Sequence, residues 1–258
     1  ILFGEILLCI ISFLPAVAAL AGKILISLIW LMNTYVERIE LIPFSLWDGL
    51  QLSFTQAILL LFFTAGISHW LMERSKTGLK TGIISLLIFT AERTISFIAA
   101  EKQQKIIVYN VPQKKAIDFI DGRNYLFIGD SGLLANDFAR NFHLKPSRVL
   151  YRIKDADTLN DFLAYKNYIS YKNRYILLLD ETISFTPQVN KPVIDLVVIS
   201  KNPKLYIPKL AGSLDMKQVV FDGSVPAWKT KYWKKDCDSL RIPWHDVSIK
   251  GAFVMNLN

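Results

Sequence analysis

The sequence predicts an α-helical transmembrane segment followed by an α/β domain. Apolar runs, some of them long enough to span a membrane, dominate the chain up to residue 100, and from Lys105 onward short β-rich runs alternate with helical patterns. Charge divides at the same place. Residues 1–100 carry six Lys/Arg and six Asp/Glu, so the whole net charge of +8 belongs to residues 101–258. The expected domains are therefore membrane helices over 1–100 and a basic domain over 101–258. The 258-residue chain is 52% apolar with a positive mean hydropathy, high for a soluble protein. It opens without Met inside an apolar stretch and is read as the C-terminal part of a longer chain.

In the first half, the run 6–22 is uncharged and close to the lower length limit for a spanning helix. Ala16-Val17-Ala18 imitates a signal-peptide cleavage site, but no basic stretch precedes it and more apolar segments follow, so a transmembrane helix is expected. The run 24–36 is short and leads into Glu37, Arg38 and Glu40, which suits an interfacial or bundle-packed helix ending at Pro43. The run 49–72 is long enough to span, with Trp47 and Trp70 as interfacial anchors and His69 beside them.

Residues 81–100 are also long enough, but Glu92 and Arg93 interrupt them. Charges at membrane depth face a bundle interior or a water-filled path, so these two are candidate polar residues of a conduit. The alternative is a charged helix end that snorkels to the surface. Arg74, Lys76 and Lys80 make the connection 73–80 basic and hence cytoplasmic, whereas 23–48 is more acidic and belongs outside. If 81–100 spans, the basic domain lies outside the cytoplasm; if not, it is cytoplasmic.

In the second half, strands are expected at 105–110, 115–120, 123–128, 148–153, 175–179, 194–199, 218–221 and 252–257. Asp121-Gly122 between two of them is a hairpin signal, because its backbone twist matches the flanking strands. Helical patterns fall at 133–142, 158–165, 208–214 and 226–240. A meander followed by alternating strand and helix implies an α/β sandwich. Cys237 is alone in this half, which excludes a disulfide framework there.

Gly129-Asp130-Ser131-Gly132 matches the tetrapeptide around a serine-protease nucleophile, but neither His143 nor His245 has motif support as its base, so a turn after a strand is expected. The chain has no H-x-H and no C-x-x-C pair, which argues against a zinc site. No cofactor is expected. The strongest positive signal is PAWKTKYWKKDCDSL at 226–240, where Lys229, Lys231, Lys234 and Lys235 interleave with Trp228, Tyr232 and Trp233. Lysines bind phosphates and aromatics stack on unpaired bases. The competing reading packs the aromatics on a sheet and leaves the lysines solvated. At helical spacing Trp228, Tyr232 and Lys235 share one face and Trp233 lies near Lys229 on another.

Two stretches resemble the C-terminal part of the ComEC competence family. One is IIVYNVPQKKAIDFIDGRNYLFIGDSG at 106–132, similar to the opening of a metallo-β-lactamase-like fold. There VYNVPQK stands where metal-binding relatives carry a V-D-V-G-Q-G-D type sequence. The other is FDGSVPAWKTKYWKKDCDSLRIPWHDVSIKGAFVMNL, similar to the ending of members found in Bacteroidetes. The resemblance implies an inner-membrane channel for DNA uptake, with a C-terminal αββα sandwich. The H-x-H-x-D-H motif of active lactamase-like domains is absent, and Ser200, Lys201 and Asn202 stand where hydrolytic relatives place a strand ending in His-His-Gly. The implied domain is a degenerate, non-catalytic version that guides DNA. Its phosphate-facing candidates are Lys201, Lys204, Lys209, Lys229, Lys231, Lys234 and Lys235. The implied partners are single-stranded DNA, the lipid bilayer, other competence-machinery proteins and further copies of the chain in a homo-oligomer.

Overall fold

The computed structural model describes residues 6, 8–42, 49–135, 137–183, 185–186 and 190–257. Two compact units divide the chain, Ile1–Leu50 and Gln51–Asn258. In the first, residues 8–10 are helical, 11–14 form a turn, and helix α1 runs from Pro15 to Glu40. This corrects the expectation of one span at 6–22 and a separate helix at 24–36. Pro15 lacks the N–H that an α-helix leaves unused in its first turn, so it starts the helix rather than sitting inside one. A single Lys23 then fails to interrupt it. The expected stop at Pro43 and the Trp47 anchor lie outside the described residues.

The second unit begins with helices α2 (Phe54–Glu73) and α3 (Lys76–Lys102). α2 starts with a capping box: the Gln56 N–H donates to Ser53 Oγ, and the Ser53 N–H donates to Gln56 Oε1, both at 3.2 Å. It stops at Arg74, whose φ of 51° leaves the helical region, and Ser75 caps α3 by accepting from the Gly78 N–H. With two residues between them the helices must run antiparallel. Small residues let them touch: a Cβ on Gly66 would lie 2.8 Å from the Gly78 carbonyl and 2.8 Å from the Gly82 nitrogen. α1, α2 and α3 are all long and apolar enough to cross a membrane, and Leu61, Phe62, Ile84 and Leu87 are among the exposed apolar side chains. α3 is one continuous helix through Glu92 and Arg93.

Gln103 joins α3 to the mixed α/β domain, donating through Nε2 to the carbonyls of Gly122 (2.9 Å) and Tyr151 (2.7 Å). Strands β1 (Gln104–Val108), β2 (Ala116–Asp121) and β3 (Asn124–Gly129) form an antiparallel meander. The β2–β3 loop is Gly122-Arg123, and Gly122 takes the positive φ of 59° that the first position of a II′ turn requires. Short helices Ser131–Leu134 and Asp137–Ala139, a π-helical turn Arg140–Leu144 and helix Lys145–Leu150 follow. The strand expected at 148–153 is thus helical up to Leu150. Strand β4 (Lys154–Asp155) pairs parallel with β3. The helix expected at 158–165 is instead part of a hairpin, β5 (Phe162–Tyr165) and β6 (Tyr168–Tyr171), which continues into β7 (Arg174–Leu179).

Strands β8 (Val193–Ile194) and β9 (Leu196–Ile199) come next, then helix α4 (Ile207–Ser213), strands β10 (Asp215–Met216) and β11 (Val219–Phe221), and helix α5 (Ala227–Ser239). Strand β12 (Trp244–Asp246), helix α6 (Val247–Lys250) and strand β13 (Phe253–Asn256) close the chain. One sheet has the order β13-β1-β2-β3-β4 and the other β12-β11-β9-β7-β6-β5; β8 and β10 form a small parallel pair.

Strand period sets the layers. Ile106, Val108, Ile117 and Phe119 of the first sheet meet Ile176, Leu178, Val198 and Val220 of the second in one core. The alternate residues Leu177, Leu179, Val197, Ile199, Val219 and Phe221 pack outward against Ile207 and Leu210 of α4 and Trp233 and Cys237 of α5. On the far side of the first sheet, Ile107, Ile120 and Tyr125 pack with Leu133 and Leu144.

Candidate nucleic-acid interface

Helix α5 is amphipathic in the sense its sequence permits. Thr230, Trp233 and Cys237 recur at helical spacing and are buried, while Trp228 and Tyr232 are 61% and 65% exposed. Trp233 stacks on Phe221 (ring centres 5.9 Å apart), and its indole N–H donates to the Leu205 carbonyl at 3.1 Å. That bond ties α5 to the loop that follows β9. The Lys201 N–H donates to Ser224 Oγ, and the Lys204 N–H donates to Thr182 Oγ1 at 3.0 Å. Lys229 completes the attachment: its Nζ donates to the Pro203 carbonyl at 2.8 Å and lies 5.5 Å from the ring centres of both Trp228 and Trp233. Burial, then the Lys204 ammonium, hold its amine below the usual lysine range.

Between the loop and α5 lies a cleft of about 760 Å³, lined by Lys204, Tyr206, Trp228, Lys229, Tyr232 and Trp233 among others. Tyr206 is 68% exposed and also borders a smaller hollow with Lys209, whose Nζ sits 5.6 Å from the Tyr206 ring centre. Asp236 adds one acid to the cleft. Tyr206 and Asp236 were not singled out from the sequence. Tyr206 has a legible signal, an aromatic set among lysines ahead of a proline-started helix, but its role depends on the loop folding beside α5. Open π faces with ammonium groups beside them suit unpaired bases and their phosphates.

The other sequence candidates go elsewhere. Lys234 pairs with the buried Asp246 and lies 5.2 Å from the Trp244 ring centre. Lys201 Nζ is 3.8 Å from Asp180, which Lys115 holds at 2.7 Å. These lysines outweigh burial and lower the Asp180 pKa. Lys231 and Lys235 are exposed, Lys231 beside a separate hollow with Lys234. Glu92 accepts hydrogen bonds from Thr55 Oγ1 (2.6 Å) and Ser53 Oγ (3.2 Å) at the start of α2, and Arg93 donates to the Gln51 carbonyl at 2.6 Å. Both therefore meet the N-terminal end of α2 rather than its middle.

The ends of β7, β9 and β11 carry Asp180, Ser200 and Asp222. Asp222 is buried and accepts from the Ser224 hydroxyl and N–H, and burial pushes its carboxyl above the usual range against those bonds. Among the described residues, no group of three or more His, Cys, Asp or Glu is arranged to hold a metal ion. Ser131 opens a short surface helix; His143 stacks edge-on against Phe142, and His245 Nε2 bonds the Gly251 carbonyl at 2.9 Å.

No curated protein and no solved structure matches the chain. The family model described as the ComEC C-terminal domain matches residues 106–257, from β1 through β13. That match covers more than half of the chain, and the protein belongs to the ComEC family, which has a role in competence and DNA uptake.

Proposed function

We propose that the chain is part of a bacterial inner-membrane channel that takes up single-stranded DNA in natural transformation, with its α/β domain guiding the strand rather than cutting it. The cleft between α5 and the loop after β9 carries this reading, because it sets the exposed rings of Tyr206, Trp228 and Tyr232 beside Lys204 and Lys229. Residues 1–100 serve as the membrane part and 101–258 as a lactamase-like sandwich; two sheets sharing a core, each with helices on its outer face, support that fold. The engagement of Asp180 by Lys115 and Lys201, and of Asp222 by Ser224, supports a non-catalytic role. Basic Arg74, Lys76 and Lys80 at the α2–α3 turn support a cytoplasmic turn, which puts the α/β domain on the opposite, extracytoplasmic side. The driving energy, further competence proteins and any partner copies of the chain are supplied from outside it.

A second reading, a membrane-anchored pseudo-enzyme domain that binds a protein, is favoured by the outer face of β5–β7, where Leu163, Tyr165 and Tyr175 are exposed. Salt titration of oligothymidylate binding to the purified full chain separates the two. DNA guidance requires affinity that falls steeply with salt, and a shallower slope in Lys204→Glu/Lys229→Glu/Lys235→Glu. Salt-insensitive, weak DNA binding with a stable protein partner would favour the second reading. One zinc per chain would overturn the non-catalytic one.

A further inference from the structure

The junction between the α2–α3 pair and the α/β domain gathers three arginines around Gln51. The Gln51 backbone carbonyl accepts from Arg93 Nη1 of α3 at 2.6 Å, and its side-chain oxygen accepts from Arg152 Nε at 2.7 Å. Arg152 follows the helix Lys145–Leu150 with φ 54°, and its own carbonyl accepts from Arg123 Nε at 3.4 Å. Arg123, in the β2–β3 turn, has its guanidinium carbon 4.4 Å from the ring centre of Phe97 on α3. Three separate elements thus deliver three cations to one place. The neighbouring Glu92 accepts from the Ser53 and Thr55 hydroxyls through Oε1, and it is not among the charges that act on Arg152.

Arg152 is the informative member. Its Nη1 and Nη2 are both out of contact with solvent and have no hydrogen-bond partner among the described residues. Burial, then repulsion from Arg93 and Arg123, lower its pKa. Buried donors are rarely left idle, and like charges are not gathered without a counter-charge. The guanidinium fork matches two oxygens of a phosphate, which an ammonium does not. All three arginines are half-buried as residues, and the Arg152 fork itself is closed to solvent, so an oxyanion comes in past Arg93 and Arg123 and meets that fork once the side chain turns toward it.

The surroundings say which phosphate. Phe54 at the start of α2, and Ile95 and Ile98 on α3, are exposed apolar side chains within a turn or two of Arg93. The cluster therefore sits where the apolar helix surface gives way to the basic domain, the level of a bilayer's headgroups if the hairpin crosses it. We propose that Arg93, Arg123 and Arg152 hold the phosphate of a phospholipid headgroup and so fix the α/β domain against the membrane surface at the foot of the hairpin. This rests on the hairpin lying in the bilayer, and it is independent of the DNA cleft.

Native mass spectrometry of the full chain in mild detergent tests it, with phosphatidylglycerol, a phosphate-free diacyl glycolipid and oligothymidylate as probes. Carbonate extraction of membranes is done first; release of the chain would sink the hairpin reading and this site with it. For a membrane-integrated chain, the expected result is retention of phosphatidylglycerol but not the glycolipid. Arg152→Gln and Arg123→Gln should each weaken that retention at least tenfold, and Arg123→Gln, in the two-residue β2–β3 turn, should keep the native unfolding temperature. Equal retention of both lipids, or unchanged phosphatidylglycerol binding in both variants, overturns the proposal. Loss of oligothymidylate binding with lipid binding intact in the same variants would assign the cluster to nucleic acid instead, and also overturns it.

Discussion

Asp118 is fully buried on β2, and Arg148 makes that position tenable. The guanidinium grips both carboxylate oxygens at 3.0 Å, the Tyr109 hydroxyl donates to Oδ2 at 2.7 Å, and the Tyr125 ring lies 4.0 Å from the guanidinium carbon. Burial still raises the Asp118 pKa against these partners. Removing one member of such a pair leaves the other charge uncompensated, at a cost of about 3–5 kcal/mol. Arg148→Met is therefore expected to lower the thermal unfolding temperature sharply, and Arg148→Met/Asp118→Asn to recover part of the loss. A double variant no more stable than the single one would show that the ion pair is not what Arg148 supplies. Arg148 was also hard to read from sequence. It opens RVLYRI, a run rich in strand-forming residues, yet the chain coils there so that the side chain reaches Asp118. The lysines were legible as a group but not as individuals. Lys229 and Lys204 border the cleft while Lys234 is spent on Asp246, a difference that depends on β12 lying beside α5.

Elements divide along the same line between local and tertiary information. The β2–β3 hairpin was legible because Asp121-Gly122 announces it, although the loop proper is one residue later. The β5–β6 hairpin was not. Leu159, Phe162 and Leu163 have helical spacing, and the turn that makes it a hairpin uses Lys166 at positive φ, as the next turn, into β7, uses Lys172-Asn173, both without glycine. α1 was misdivided because a lysine and a length limit outweighed Pro15 as a start signal. The α2–α3 contact was present in the sequence as Gly78 and Gly82, four residues apart, but needed Gly66 opposite to have meaning. A methyl group at Gly66 meets backbone at 2.8 Å, so neither helix yields easily. Overpacking of this kind costs about 1–3 kcal/mol, so Gly66→Ala is expected to lower the unfolding temperature of the detergent-solubilised chain, and Gly132→Ala, which meets open space, to leave it unchanged. Equal effects would mean that the helices do not depend on this approach.

At the scale of the molecule, composition alone separated an apolar half from a basic half, and three long apolar helices leading to a mixed α/β domain agree with it. The second sheet explains where the cleft lies. Parallel strands β7, β9 and β11 end on the same edge, and the loop after β9 and the start of α5 leave from that edge side by side. Sequence supplied the aromatic and basic residues of α5; only the fold brings Tyr206 and Lys204 opposite them. The central claim is that this cleft holds unpaired bases as well as phosphates. The direct measurement is the affinity of the full chain for oligothymidylate and for an abasic oligonucleotide of equal length, in the native protein and in Trp228→Ala/Tyr232→Ala. Stacking is worth about 1–3 kcal/mol per base, so the native protein should prefer the strand with bases by roughly tenfold or more, and the double variant should lose that preference while keeping its salt dependence. Equal affinity of the native protein for both strands, or an undiminished preference in the variant, would contradict the assignment of the cleft to single-stranded DNA.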